Sequence, residues 1–288
     1  MSVDGVKRFY AASDERISDK RFNSEFWIRR FTHRAILARN LRHVAPGDFV
    51  LDAGCGDGVF CRLATDAGGV VVGVDLSMGN LLSARVGSAA DEVSYVQADL
   101  EALPFRAGAF DLVISSHVVE HLPAPSAGLH ELGRVARDLV VVAMLTCFNP
   151  SAWALLGGGP YWTLSKRALI AIPIGLIRTV WALLRRVDGP NEGYRGRRDL
   201  PHVWRFPWSL RRLIDAASLQ VVDIEGGPLT IPYLGERVAL LRRVQLAIDR
   251  GHRVRLLRWC GVGTHLTCRA ARRHHDHQRR DWRATCFE

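Results

Sequence analysis

From residue 49 onward, short apolar runs alternate with stretches in which apolar residues recur every three or four positions. The runs cover 49–52, 70–75, 93–98, 110–115 and 139–145, and helical periodicity fills segments between them, such as 59–67 and 129–136. Four of the five runs are too continuously apolar for a strand with one wet face, so they predict a parallel sheet covered by helices on both sides. Strict alternation of strand and helix predicts an α/β, doubly wound, mostly parallel sheet. Ligands of such sheets sit at the carboxyl ends of the strands.

After residue 150 the rhythm changes. A segment rich in Trp, Pro, Gly and Arg contains a helical pattern over 164–186, with Pro173 inside it as an expected kink, followed by the turn-rich DGPNEGYRGRRDLPH. Alternation then resumes with a helix at 207–217, a strand at 219–225, a second basic helix near 236–258 and a last strand at 264–270. This predicts seven strands, a helical insertion after strand five and a basic helical insertion before the last strand. The organisation expected is a helical N-terminal cap over 1–44, a ligand-binding core over 45–150, a substrate-side insertion over 151–206, the end of the core over 207–270, and a disordered tail over 271–288. The tail's three histidines show no metal-ligand spacing, and no metal is expected.

Charge sharpens this division. The chain carries +10 overall, but residues 1–159 sum to −3, against +7 for 160–215 and +8 for 236–288. The basic character therefore belongs to the additions. Six cysteines form no CxxC pair, no signal peptide opens the chain, and the longest uninterrupted apolar run is only 168–177. A cytoplasmic setting with free thiols is expected, without a membrane span.

The most informative stretch is FVLDAGCGDG at 49–58. A buried strand ends there in a loop with Gly54, Gly56 and Gly58, at the mouth of a helix whose first N–H groups can receive an anionic group. Asp52, just before the glycines, favours a ligand that also carries a positive charge. Asp75 follows the next strand after a step of 23 residues, the distance at which such units deliver a carboxylate to a ribose diol. Asp99 closes the third strand, where the exocyclic amine of adenine is a natural donor. Each acid alone also reads as a helix cap; together with the loop they outline an adenosine nucleoside.

With these residues in place, the chain resembles the class I S-adenosylmethionine-dependent methyltransferases, particularly the group acting on small molecules, lipids and quinone precursors. The matching pieces are VLDAGCGDG at 50–58, VVGVDLS at 71–77, VQADLEALPF at 96–105, FDLVISSHVVEHL at 110–122 and LHELGRVAR at 129–137. The resemblance implies a Rossmann-like sheet binding S-adenosyl-L-methionine. By it, the three glycines lie beneath the methionine part, with Asp52 near the ammonium. Asp75 with Leu76 would hold the ribose, Asp99 and the backbone of Leu100 the adenine, and Ser115 with Ser116 would line the floor. The chain departs from the family at RVARD, 134–138, where a Lys-Pro-Gly-Gly turn is common, and at Phe148 to Pro150 on the substrate side.

Methyl transfer from a sulfonium is mainly a matter of alignment, which can supply roughly 7–11 kcal/mol. A general base adds about 10²- to 10⁴-fold for an oxygen nucleophile. His117 and His121, flanking Glu120 after strand four, are the candidates, with His202 as a third; each also reads as a structural histidine.

The helix at 164–186 sets Leu169, Ile172, Leu176, Val180 and Leu184 among Lys166, Arg167, Arg178, Arg185 and Arg186, and the second basic helix repeats the pattern. An apolar stripe with basic flanks suits a cap packed on the core, or an interfacial helix on an anionic leaflet. The acceptor expected is a small or amphiphilic, lipid-linked molecule, with peripheral placement on the inner face of the membrane. The alternatives are an RNA methyltransferase or a non-catalytic cofactor-binding subunit. Against nucleic acid stands the end of strand four, Ser115-Ser116-His117-Val118, which lacks the turn that grips a flipped base. Against a nicotinamide oxidoreductase stands Val59, where GxGxxG requires glycine.

Overall fold

In the computed structural model the described residues are 2–13, 21–88, 93–193, 197, 199–233, 239–255 and 257–270. The predicted tail, 271–288, lies outside them. Seven strands form one sheet: β1 (Phe49–Ala53), β2 (Val70–Asp75), β3 (Val93–Gln97), β4 (Phe110–Ser116), β5 (Ala136–Met144), β6 (Leu219–Gly226) and β7 (Thr264–Ala270). Their order is β3-β2-β1-β4-β5-β7-β6. Neighbours are parallel except β7, which runs antiparallel between β5 and β6. The strand order reverses beside β1, so β1 and β4 diverge at the switch point where ligands of such sheets bind.

Period-two alternation divides each central apolar run between two cores. Val50, Leu112, Ile114 and Val141 enter one core, with Phe60, Cys61 and Ala64 of α3 (Val59–Asp66) and Leu81 of α4 (Met78–Gly87). Leu51, Val113, Val140 and Val142 enter the other, with Leu129 and Leu132 of α5 (Pro125–Val135) and Leu210 and Ile214 of α8 (Pro207–Ala216). Both faces of the central strands are therefore dry, which is why these strands read as unbroken hydrophobic segments.

The N-terminal segment supplies α1 (Val3–Ala11), capped by the Ser2 side chain, and α2 (Trp27–Leu41). After β5 come α6 (Pro150–Leu156) and α7 (Lys166–Leu184). These two meet backbone to backbone. A Cβ at Gly157 would clash with the Ala171 carbonyl, and one at Gly175 with that of Trp153. Ala168, Ala171, Gly175, Thr179 and Ala182 form the buried small-residue face of α7.

Two helices change the expected picture. Helix α7 is a single 19-residue helix through Pro173, long and apolar enough to cross a membrane by length and composition. The uninterrupted apolar run ends at Arg178, whose guanidinium donates to the Leu156 carbonyl of α6. The second basic helix is shorter than its pattern: α9 covers Ala239–Asp249 and gives way to a 3₁₀ turn at Arg250–Arg253, where Gly251 sits. Of the expected range, 236–238 and 256 lie outside the described residues.

Candidate active site

A cleft of about 930 Å³, open solvent at its mouth included, lies at the carboxyl ends of β1, β2 and β4 beneath α1. Gly54, Asp75, Leu76, Asp99, Leu100, Ser116, His117 and His121 line it, all of them residues singled out in the sequence. Five others do not reach its wall: Asp52, Gly56, Gly58, Ser115 and His202. Ser115 is fully buried, its hydroxyl donating to the Ala53 carbonyl at 3.0 Å.

The glycine loop is built by packing as much as by any ligand. Gly54 and Gly58 both have positive φ, at 90° and 74°. A Cβ on Gly54 would strike the Val118 side chain, and one on Gly58 the Tyr95 hydroxyl. Gly56 donates its N–H to Asp75 Oδ2 at 2.9 Å, while Ser77 N–H donates to Asp75 Oδ1 at 2.8 Å. The Asp75 carboxylate is thus held rigidly between β2 and the loop. Burial raises its pKa, and these two backbone donors offset only part of that rise.

Asp52 sits below the loop, 4% exposed, and accepts the Cys61 thiol at 3.2 Å. Burial raises its pKa to about 7, partly offset by that thiol. Asp99 faces the cleft from the end of β3. Its Oδ1 accepts the Glu101 N–H at 2.9 Å, and its Oδ2 pairs with Lys7 Nζ of α1 at 2.6 Å.

The opposite wall is a histidine cluster. The chain leaves β4 at His117 in the left-handed region, φ 59°, a conformation that costs a non-glycine residue about 1–3 kcal/mol. It is anchored by the His117 N–H on the Ala143 carbonyl at 2.9 Å. His117 Nδ1 lies 3.3 Å from Glu120 Oε1, and its Nε2 is buried without a hydrogen-bond partner. Glu120 is 2% exposed; desolvation alone would raise its pKa, but the His117 hydrogen bond and the surrounding histidines hold it near 2, so it is a carboxylate at neutral pH. His121 is held neutral, its pKa lowered to about 3 by burial and by the adjacent His202. Its Nδ1 is 2.9 Å from the Tyr10 hydroxyl of α1 and 3.3 Å from the Pro201 carbonyl. The rings of His121 and His202 stack at 4.6 Å and 7°.

Sequence reading missed the contribution of α1, since Val6, Lys7 and Tyr10 all line the cleft. Their only signal was amphipathic spacing behind a Ser cap. It also missed Asn80 of α4, whose side chain reaches Asp75.

Residues 51–143 match the family model described as a methyltransferase domain. Among similar proteins, the malonyl-[acyl-carrier protein] O-methyltransferase of Enterobacter lignolyticus is 38% identical over 135 residues, which is 44% of this chain and 53% of that one. The ubiquinone biosynthesis O-methyltransferase of Burkholderia thailandensis is 28% identical over 68% of this chain and 73% of its own length. Matched stretches span about half the length of the first relatives. The fold is shared with an S-adenosylmethionine-dependent methyltransferase from Mesorhizobium loti, 19% identical, at a TM-score of 0.52 over 81% of this chain and 95% of that one. The strand order, the loop at the switch point and the matched motifs agree: residues 51–143 match a methyltransferase domain, and the chain has the fold of S-adenosylmethionine-dependent methyltransferases.

Proposed function

We propose that this protein is an S-adenosylmethionine-dependent O-methyltransferase acting on a small, amphiphilic, lipid-linked acceptor. The observation that carries the reading is the shared cleft: two carboxylates from successive strands, Asp75 and Asp99, on one side and His117 on the other. S-adenosylmethionine, when bound, supplies a methyl group already activated on sulfur.

In this reading Asp75, fixed by two backbone donors, keeps its remaining lone pairs for the ribose hydroxyls. Leu76, Leu100 and Ser116 border the nucleoside, and Gly54 leaves room for close backbone approach. Asp52, Gly56, Gly58 and Ser115 act from behind the wall, shaping the loop. Asp99 takes the adenine amine while remaining tied to Lys7. His117 is the better base of the two histidines. Its Nδ1–H points to the Glu120 carboxylate, which stabilises the imidazolium formed when Nε2 takes the acceptor's proton. The Nδ1 of His121 is already engaged with Tyr10 and Pro201.

The relatives named for acyl-carrier protein and ubiquinone biosynthesis support an acceptor on a lipid or lipid-like carrier. Helix α7 supports delivery from a membrane surface. Its outer face presents Leu169, Ile177 and Leu184 at 64%, 67% and 70% exposure, with Trp181 beside them. Lys166 and Arg167 bracket one end and Arg185 and Arg186 the other, a pattern that seats a helix in an anionic leaflet. The enzyme would then work peripherally on the inner face of the membrane.

Two measurements test these readings. Transfer of a labelled methyl group should enter the lipid or small-molecule fraction of an extract; label confined to RNA, or none at all, overturns the acceptor class. In flotation with vesicles, the protein should rise with those containing an anionic lipid. Association with neither anionic nor zwitterionic vesicles ends the membrane reading.

A further inference from the structure

A charged group in the cleft wall is left unmatched by the protein. Arg21, on the approach to α2, lines the cleft and makes no hydrogen bond or ion pair among the described residues. The carboxylates and the lysine of the same wall are already committed. Lys7 pairs with Asp99, and the Asp75 carboxylate accepts the Gly56 and Ser77 N–H groups. We propose that Arg21 anchors a carboxylate of a ligand bound in this cleft.

The surroundings of Arg21 support this. The next residue, Phe22, sets its ring edge against His33 of α2, with centroids 6.0 Å apart, and so ties this stretch of chain to the helix. Arg21 belongs to the histidine side of the cleft. Burial and His202 lower the pKa of His121, and the charge of Arg21 lowers it further. Burial likewise takes His33 well below the ordinary imidazole range, with Arg21 adding to the effect. Arg29 of α2 is lowered by burial and then by Arg21, and its guanidinium lies 4.3 Å from the centroid of the Trp162 ring, with no carboxylate paired to it among the described residues. Arg21 therefore sits among like charge and neutral rings. A cation in such a place is held at a cost, and an incoming anion removes it.

The donor selects the form of the anion. A guanidinium presents two parallel N–H groups that match the two oxygens of a carboxylate. One guanidinium balances one negative charge, whereas a phosphate dianion would bring a second charge toward Asp75 in the same cleft. Two molecules of the proposed reaction can supply a carboxylate: S-adenosylmethionine through its amino-acid end, and an acidic acceptor. The choice between them rests on the methyltransferase reading; the anion site itself does not.

The test compares S-adenosylmethionine with its decarboxylated form, which keeps the nucleoside, the sulfonium and the amine, by calorimetry on the full chain and on Arg21→Gln. If the cofactor supplies the carboxylate, the variant loses about 10- to 100-fold in affinity for S-adenosylmethionine and binds the decarboxylated form as the native protein does. If the acceptor supplies it, both nucleosides bind the variant normally. Decanoate, an amphiphilic acid used as the probe, then binds the S-adenosylhomocysteine complex about tenfold or more weakly in the variant, with no such difference for decanol. Arg21→Lys, which keeps the charge without the fork, should fall between the native protein and Arg21→Gln in whichever arm responds. Unchanged binding of all these ligands overturns the anchor. So does an equal loss for both nucleosides, which would make Arg21 a structural support of the cleft. Should the native chain bind neither nucleoside, the methyltransferase reading falls, and decanoate titrated into the free protein still decides the anchor.

Discussion

Lys7, on the first helix of the chain, forms ion pairs of 2.6 Å with both Asp99 and Glu101 beyond β3, tying α1 down over the cleft. These carboxylates raise the lysine pKa, so the tie persists throughout the neutral range. Because the Lys7 side chain is 29% exposed, water weakens the pair, and it is worth about 0.2–1 kcal/mol. Lys7→Met should therefore leave global stability almost unchanged while residues 3–11 open more often. Amide exchange in α1 should quicken by about two- to fivefold on that energy scale. Unaltered exchange would show that Tyr10 and the apolar face alone hold the helix.

Asp75 links β2 to the glycine loop through the Gly56 N–H. Asp75→Ala removes the proposed ribose acceptor and also leaves two backbone donors without their partner. S-adenosylhomocysteine affinity, read by calorimetry, should fall by more than tenfold, in keeping with about 1.5–3 kcal/mol for a hydrogen bond to a charged group. Unchanged affinity would remove Asp75 from the ribose site.

His117 combines a left-handed backbone with a ring nitrogen that has no partner. Asparagine tolerates that backbone, so His117→Asn isolates the loss of the imidazole. Methyl transfer should drop by about 10²- to 10⁴-fold with cofactor affinity preserved. A rate within a few-fold of the native enzyme would exclude His117 as the base.

The buried Asp52 predicts an unusual pH dependence. Its folded pKa, about 7, stands above the ordinary 3.8, so between these values the folded state holds a proton that the unfolded chain releases. Stability from this group is full below pH 4 and is lost as pH rises toward 7, by roughly 4 kcal/mol at most. Asp52→Asn keeps an acceptor for the Cys61 thiol without the charge. Its melting temperature should exceed that of the native protein by more at pH 8 than at pH 5. An advantage that does not change with pH would contradict burial as the cause.

Much of the fold is legible because its signals are local. Apolar runs such as 110–115 become β4 within one residue, and the alternation of such runs with helices implies the doubly wound sheet. Glycines at 54, 56 and 58 mark a backbone with positive φ, whatever lies around it. The acids at 75 and 99 were findable because strand ends converge on one crevice. Asp52 shows where such reasoning stops. Its place before the glycines suggested a partner for a positive charge, whereas in the fold it is sealed against Cys61 behind the wall.

What the chain order by itself determined is the set of elements, the switch point beside β1 and the small spacings that make the loop. Tertiary structure alone decided which distant residues complete the cleft. Tyr10 reaches His121 across 111 residues, and His202 stacks on the same ring from an insertion with no repeat or period to announce it. Likewise, only packing shows that α7 buries its alanines and glycine against α6 and leaves its larger apolar residues outside. Periodicity reports the geometry of one element at a time. The contacts that build this site join separate elements, and their partners are chosen by how the whole sheet and its covering helices close together.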